Sequence, residues 1–401
     1  MCVNDRNRRG FLRTAAAAGI AAASVPALAA ATAHGQEPAP AGGSAAAGEK
    51  IALTNARVFD GDELTEPRTV VVENGRIGLN SLGARRIDCE GAVLLPGLID
   101  AHLHLRDLDT LRRLAGFGVT TGLDMACFPP EVVDSLRRQP GLPDIRSAGT
   151  PAVAPGSPQS QLPTFPQDAV LTGPEQAATF VRNRVTEGSD YIKIVIDEAG
   201  PTPETVGAVA AQAHSAGKLL MAHATTAAQV EVALAAGADM IHHIPLDSAL
   251  TPEIAARFAA GGPVAVPTLT MMEGFANLGI PGYDYANAEA GVAELHRAGA
   301  RVLAGTDANL TPGIPVQPAY GDSLHHELEL LVAAGLSTRE ALRAATVLPA
   351  QSFRLRDRGE IRPGYRADLL LVDGDPLADI TATRAVRRVW VGGAEHAPAA
   401  G

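Results

Sequence analysis

The sequence predicts an α/β protein, a closed (β/α)8 TIM-type barrel carrying a small composite β-sandwich built from both chain flanks. Three observations predict it. A helix-like segment ending in a small residue plus glycine, with an apolar strand following at once, recurs through the middle of the chain. Short β-strands crowd the two ends, and side chains able to hold a metal fall at the ends of the central strands.

At 401 residues and 46% hydrophobic content the chain can bury the core of one large barrel with an appendage. Residues 1–33 are expected to be a leader rather than part of the fold. Asn7-Arg8-Arg9-Gly10-Phe11-Leu12-Arg13 and the alanine-rich run after it resemble a twin-arginine export signal, so the mature protein is expected outside the cytoplasm, secreted or periplasmic. Arg6, Arg8, Arg9 and Arg13 against Asp5 give this segment +3; removing it takes the chain from −11 to −14 (−11 minus +3). Nucleic acid and anionic membrane surfaces select basic patches and are excluded as partners of the mature protein. A small-molecule substrate is expected, and homo-oligomerisation stays open. Cys89 and Cys127, far apart and in no CxxC spacing, are expected as packed apolar groups.

Residues 34–50 form an Ala/Gly/Pro/Ser linker. Residues 51–95 read as short strands, with Glu73-Asn74-Gly75-Arg76 as a hairpin signal, and 364–395 read the same way, so the two flanks are assigned to one β-sandwich domain. Between them, 96–363 carries the barrel grammar. Glycine closes helices at Ala216-Gly217, Ala236-Gly237, Ala260-Gly261 and Ala298-Gly299, because the residue after a helix commonly takes positive φ. The eight expected strands are 97–102, 119–124, 144–148, 191–196, 219–223, 240–243, 264–268 and 302–306.

Active sites of such barrels lie at the carboxyl ends of the strands. His102 and His104 close the first strand, Lys193 lies in the fourth, His223 ends the fifth, His243 the sixth and Asp307 the eighth. Lys193 is the informative member: an ammonium inside Tyr191-Ile-Lys-Ile-Val-Ile196 would be buried at a cost of several kcal/mol without compensation. Carboxylated by carbon dioxide, it becomes an anionic carbamate able to bridge two cations. His242 neighbours His243, and since adjacent strand residues point to opposite faces, His243, the last before the loop, is taken as the ligand. His214 and His296 fall in last helical turns, where imidazole suits the helix dipole. His325 and His326 are assigned solvated or capping roles.

Leu95-Pro-Gly-Leu-Ile-Asp-Ala-His-Leu-His104, Ala304-Gly-Thr-Asp307 and Gly359-Glu-Ile-Arg-Pro-Gly364-Tyr-Arg-Ala-Asp368 resemble the amidohydrolase superfamily, in its imidazolonepropionase-like and Xaa-dipeptidase branches. The resemblance implies two divalent ions, zinc by default. His102, His104 and Asp307 would hold one and His223 and His243 the other, with carboxylated Lys193 as the bridge. It implies cleavage of an amide C–N bond by water activated between the ions, with Asp307 moving the proton, on dipeptides or N-acyl amino acids. Lactones, cyclic amides and phosphotriesters are the alternative bonds. Deamination is disfavoured because Thr226 stands where deaminases carry a glutamate, and because those branches generally lack the lysine. Arg106 is a candidate for a substrate carboxylate, or else a surface partner of Asp107 or Asp109; Tyr191, Thr268, Met271 and Met272 are pocket candidates, and the loop 150–172 a candidate lid.

Overall fold

The computed structural model describes residues 49–311 and 313–399; the expected leader and nearly all of the linker lie outside them. Strands from both flanks join one eight-stranded sheet. Side by side run Ala394–His396, Val386–Val391, Leu369–Val372, Val93–Pro96, Ile51–Val58, Arg68–Glu73 and Arg76–Gly78, with Arg85–Asp88 also on Ile51–Val58. The strand Ile51–Val58 gives the sheet two halves. Its first residues pair with Arg85–Asp88 and Val70–Val72, and its last two with Val93 and Leu94, on either side of a register shift at Asn55, which sits at φ 54°.

Alternation buries both faces of this sheet. Leu94, Leu369 and Leu371 enter a small core with Ile51, Leu53, Val70, Val72 and Trp390. Their neighbours Val93, Leu95, Leu370 and Val372 instead join the main core under the barrel helices. Gly118, at φ 80°, lets the barrel approach this face, since a Cβ there would meet Leu370 at 2.7 Å.

The barrel strands are Leu98–Leu103, Val119–Asp124, Asp144–Ser147, Ile192–Ile196, Leu220–Ala224, Met240–His242 and Val264–Val266, all parallel, with an irregular eighth segment at 301–308. Backbone bonds close the ring. Ala152 N–H donates to Lys193 O and Val195 N–H to Ala152 O, linking third to fourth; Leu303 N–H donates to Ala265 O, and Ala101 N–H to Ala304 O, linking seventh to eighth and eighth to first.

Local sequence explains the helices between. Ala227–Ala236 starts at Thr226, whose hydroxyl accepts from Gln229 N–H in a capping box, and ends at Gly237 with φ 75°. Tyr285–Ala298 likewise ends at Gly299, φ 78°. Inside the barrel, Ile99, Ala101, Leu123, Tyr191, Met221, Met240 and Leu303 form an apolar floor. Cys89 and Cys127 are free and buried, and burial pushes the Cys89 thiol up to about 11. Among the described residues no helix is long and apolar enough to cross a membrane.

Candidate metal centre

Six side chains of metal-binding type converge at the mouth. His102 and His104 end the first strand, their ring centroids 5.4 Å apart; His102 lies 4.9 Å from His243, and His243 4.3 Å from His223. Asp307 Oδ1 stands 2.9 Å from His104 Nε2 and 3.4 Å from His102 Nε2. One ligand atom from each of His102, His243 and Asp307 falls within 4.8 Å of the others. Lys193 is fully buried on the strand beside His223, its register partner being Met221.

Backbone geometry at this rim departs from ordinary strand. His243 (φ 72°), Thr268 (φ 48°) and Asp307 (φ 57°) all take the left-handed region, which is costly above all for β-branched Thr268. Tertiary bonds hold them there. His243 N–H donates to Val266 O, Asp307 N–H to His102 O at 2.7 Å, and the Thr268 hydroxyl meets His243 Nδ1 at 2.8 Å. Gly305, in the Ala304-Gly-Thr-Asp307 run, has to lack a side chain, because a Cβ would meet His102 N at 2.9 Å and Val266 Cγ1 at 2.7 Å.

Burial governs the charges. It drives the His102, His242 and His243 imidazoles well below their ordinary value and His223 to about 3, with Lys193 adding in the same direction, so these rings are neutral and free to act as ligands. Burial also lowers Lys193 to about 7, against the pull of Asp307 and Asp124, which leaves free amine at neutral pH. For His104 burial acts downward too, but the contact with Asp307 prevails and raises it. Within the cluster, Lys193 Nζ, His223 Nε2 and His242 Nε2 are buried without a hydrogen-bond partner, while buried His104 Nε2 and Asp307 Oδ1 face each other across 2.9 Å. Buried polar atoms are ordinarily satisfied, and unsatisfied ones beside His102, His243 and Asp307, whose ligand atoms lie within 4.8 Å of one another, fit a bound cation.

Residues not singled out as site members hold this arrangement. Asp100, wholly buried, accepts from the backbone of His102 and Thr306 and from the Thr306 hydroxyl at 2.7 Å, tying first strand to eighth; burial raises it to about 7. Asp124 accepts from Ser147 and from Leu105 N–H. Buried Glu327 accepts from Leu269 N–H, Thr270 N–H and the Thr270 hydroxyl, fixing the turn that carries Thr268. His242 also belongs to the cluster, its Nδ1 3.0 Å from that of His102. Strand alternation therefore does not separate His242 from His243: the strand ends at His242 and the positive φ of His243 turns both rings to one side. An acid inside an apolar run, as in Leu98-Ile-Asp100-Ala, was the available signal for Asp100, because burial demands partners.

Other expectations need correction. Tyr191 is not a pocket residue. It lies in the floor against Phe353, centroids 5.4 Å apart, and its hydroxyl donates to the carbonyls of Asp124 and Arg146. Met271 and Met272 are buried in the main core, and Thr268 is buried on His243. Arg106 is half-exposed with Asp107 3.7 Å away. Within the 150–172 loop Leu171 N–H donates to Val153 O, and Phe165 meets Phe128 edge to face at 5.4 Å. His325 is buried between Thr383 and the Phe117 carbonyl rather than solvated, whereas His326 pairs with Glu273. His214 and His296 do stand in last helical turns, as expected, where they pair with Asp239 and Glu340 outside the cluster.

Comparison with known proteins agrees with this geometry. The amidohydrolase family model matches residues 153–395. The chain belongs to the amidohydrolase family. It is a metal-binding hydrolase acting on carbon–nitrogen bonds. It is 26% identical over 376 residues to an imidazolonepropionase of Salinispora arenicola, covering 80% of this chain and 90% of that one. To the imidazolonepropionase of Deinococcus deserti it is 40% identical over 99 residues, spanning only 24% of either chain. A crystal structure of a putative prolidase from Bifidobacterium longum superposes with a TM-score of 0.72 at 27% identity, covering 88% of this amidohydrolase and 96% of that chain.

Proposed function

We propose that this amidohydrolase is exported and cleaves the amide bond of dipeptides or N-acyl amino acids, using two divalent ions, zinc first, joined by a carboxylated Lys193. The observation that carries the reading is the buried cluster in which Lys193 Nζ and His223 Nε2 have no partner beside the His102, His243 and Asp307 ligand atoms, all within 4.8 Å of one another. His102, His104 and Asp307 would hold one ion and His223 and His243 the other, a donor set of imidazole and carboxylate type that suits zinc. When bound, the ions supply an activated water and polarise the scissile carbonyl.

The side chains do the rest. The Lys193 amine adds to the carbon of carbon dioxide and loses a proton, and its low-lying value near 7 provides the neutral amine this addition needs. Asp307, whose Oδ1 lies 2.9 Å from His104 Nε2, accepts a proton from the attacking water and hands it to the departing nitrogen. Thr268 fixes the His243 ring and Asp100 the approach of the His102 strand. The name of the Bifidobacterium relative supports a dipeptide substrate. Thr226, engaged as a helix cap, supplies no acid for deamination.

The test has three arms. Elemental analysis should find two ions per chain, and intact mass with ¹³C-labelled bicarbonate should locate one carbon dioxide on Lys193. A panel of dipeptides, N-acyl amino acids, lactones, cyclic amides and phosphotriesters then decides the bond; cleavage confined to the last three classes overturns the amide assignment. Cell fractionation of the wild type and an Arg8→Lys/Arg9→Lys variant tests export, with cytoplasmic retention of both counting against it.

A further inference from the structure

Three of the ligand rings at the mouth are held through Nδ1. His104 Nδ1 meets the Ala126 carbonyl at 3.3 Å, and His243 Nδ1 the Thr268 hydroxyl at 2.8 Å. A carbonyl only accepts, so for His104 the hydrogen belongs on Nδ1. His102 is held by a different kind of partner. Its Nδ1 lies 3.0 Å from Nδ1 of His242, a second imidazole, with the ring centroids 4.7 Å apart. Its Nε2, on the far side of the ring, faces Asp307 Oδ1 at 3.4 Å.

Both rings are buried, and between two neutral imidazoles an Nδ1–Nδ1 contact holds a single hydrogen. If His242 donated it, His102 would carry its own hydrogen on Nε2, and that nitrogen could not take a cation. If His102 donates it, His102 Nε2 is bare and the His242 hydrogen sits on Nε2. His242 Nε2 is buried without a partner, so nothing on the His242 side fixes the choice. Nor is His242 a third ligand beside His102: among the described residues, the group whose ligand atoms lie within 4.8 Å of one another is His102, His243 and Asp307. The main chain of His102 is tied separately, its N–H donating to Asp100 Oδ1 at 3.1 Å, which leaves the direction of the ring to His242.

We infer that His242 is a positioning residue for His102: its bare Nδ1 accepts the His102 Nδ1 hydrogen and so turns a hydrogen-free His102 Nε2 toward the cation. The inference rests on the reading of His102 as a metal ligand. In the commoner arrangement a carboxylate or a carbonyl takes the hydrogen of a ligand imidazole, and such a group can only accept. His242 accepts in one tautomer and donates in the other. The direction of this one bond is therefore linked to occupancy, because a cation on His102 Nε2 excludes a hydrogen there and leaves Nδ1 as its place.

Full-length protein with ¹⁵N-labelled histidine is loaded with ¹¹³Cd and read by NMR. His102 should show coupling of the metal to Nε2 and a hydrogen on Nδ1, and His242 no metal coupling, a bare Nδ1 and a hydrogen on Nε2. Metal coupling to His242, or a hydrogen on its Nδ1, overturns the inference while leaving the metal centre standing; coupling to no histidine at all sinks the metal centre and the inference with it. Two variants separate the acceptor from mere packing. In chelator competition with zinc, His242→Phe, which keeps a ring without an acceptor, should weaken the ion on His102 about tenfold to a hundredfold. His242→Asn fills less space but offers an oxygen close to the place of Nδ1, and it should recover most of that affinity. Packing alone gives the reverse order, with Phe nearer the wild type than Asn; that order, or equal affinity in all three proteins, refutes the role. Should His242→Phe fail to fold, His242→Leu takes its place, and the wild-type spectrum decides independently of either.

Discussion

Tyr191 and Lys193 lie two residues apart on one side of the same strand and meet opposite fates. The Tyr191 hydroxyl, in the floor, gives its hydrogen to two backbone carbonyls; the Lys193 amine, at the mouth, has no partner at all. The contrast extends around the ring. The floor is apolar and closely packed, whereas the mouth gathers neutral imidazoles, orphaned donors and three residues in left-handed conformations. One set of strands therefore does two jobs: its first residues close the barrel, and its last ones hold groups in a state that folding alone would not favour.

If that division is real, Lys193→Ala acts on loading rather than folding. Turnover should drop at least about a hundredfold, more than the loss of a group that merely supports a ligand, and elemental analysis should no longer find two ions; a variant that keeps both ions and full rate breaks the contrast. Leu303→Ala, wholly buried in the floor, should do the reverse, costing about 2–5 kcal/mol in urea denaturation while leaving the metal content per folded chain at the wild-type level. Thr268→Val keeps the shape but removes the bond to His243 Nδ1, so metal affinity by chelator competition should weaken about tenfold to a hundredfold; no change would mean the left-handed backbone alone orients the ring.

The smallest effect concerns pH. Burial raises the Glu327 carboxyl from 4.5 to about 7, so the folded chain holds that proton more tightly than the unfolded one. Its contribution to stability is fully present below pH 4.5 and is lost as pH rises through about 7. Urea midpoints followed across that window should show a downward component in the wild type that is missing in Glu327→Gln, and parallel curves would assign the slope to other acids.

Much of the site was legible in the chain. His102, His104, Lys193, His223, His243 and Asp307 each stand at or near the end of a hydrophobic run, and a parallel barrel brings such ends to one rim. Period-two reasoning failed at His242 and His243 because it assumes a strand that continues, and here the strand stops between them. Tyr191 was misassigned for a related reason: its parity puts it inside the barrel, but parity does not say at which end. Asp100 and Glu327 were missed because their partners, Thr306 and Thr270, are remote in sequence.

The amino acids by themselves determined the period of the strands, the glycines that end the helices, and which residue types are available to bind a cation, because these depend on neighbours a few positions away. Only the tertiary structure decided that Asp307 reaches His104, that Thr268 holds His243, and that the Lys193 amine is left without a partner. Those are contacts or absences between segments far apart along the chain, and a buried group's charge state is set by everything that closes around it.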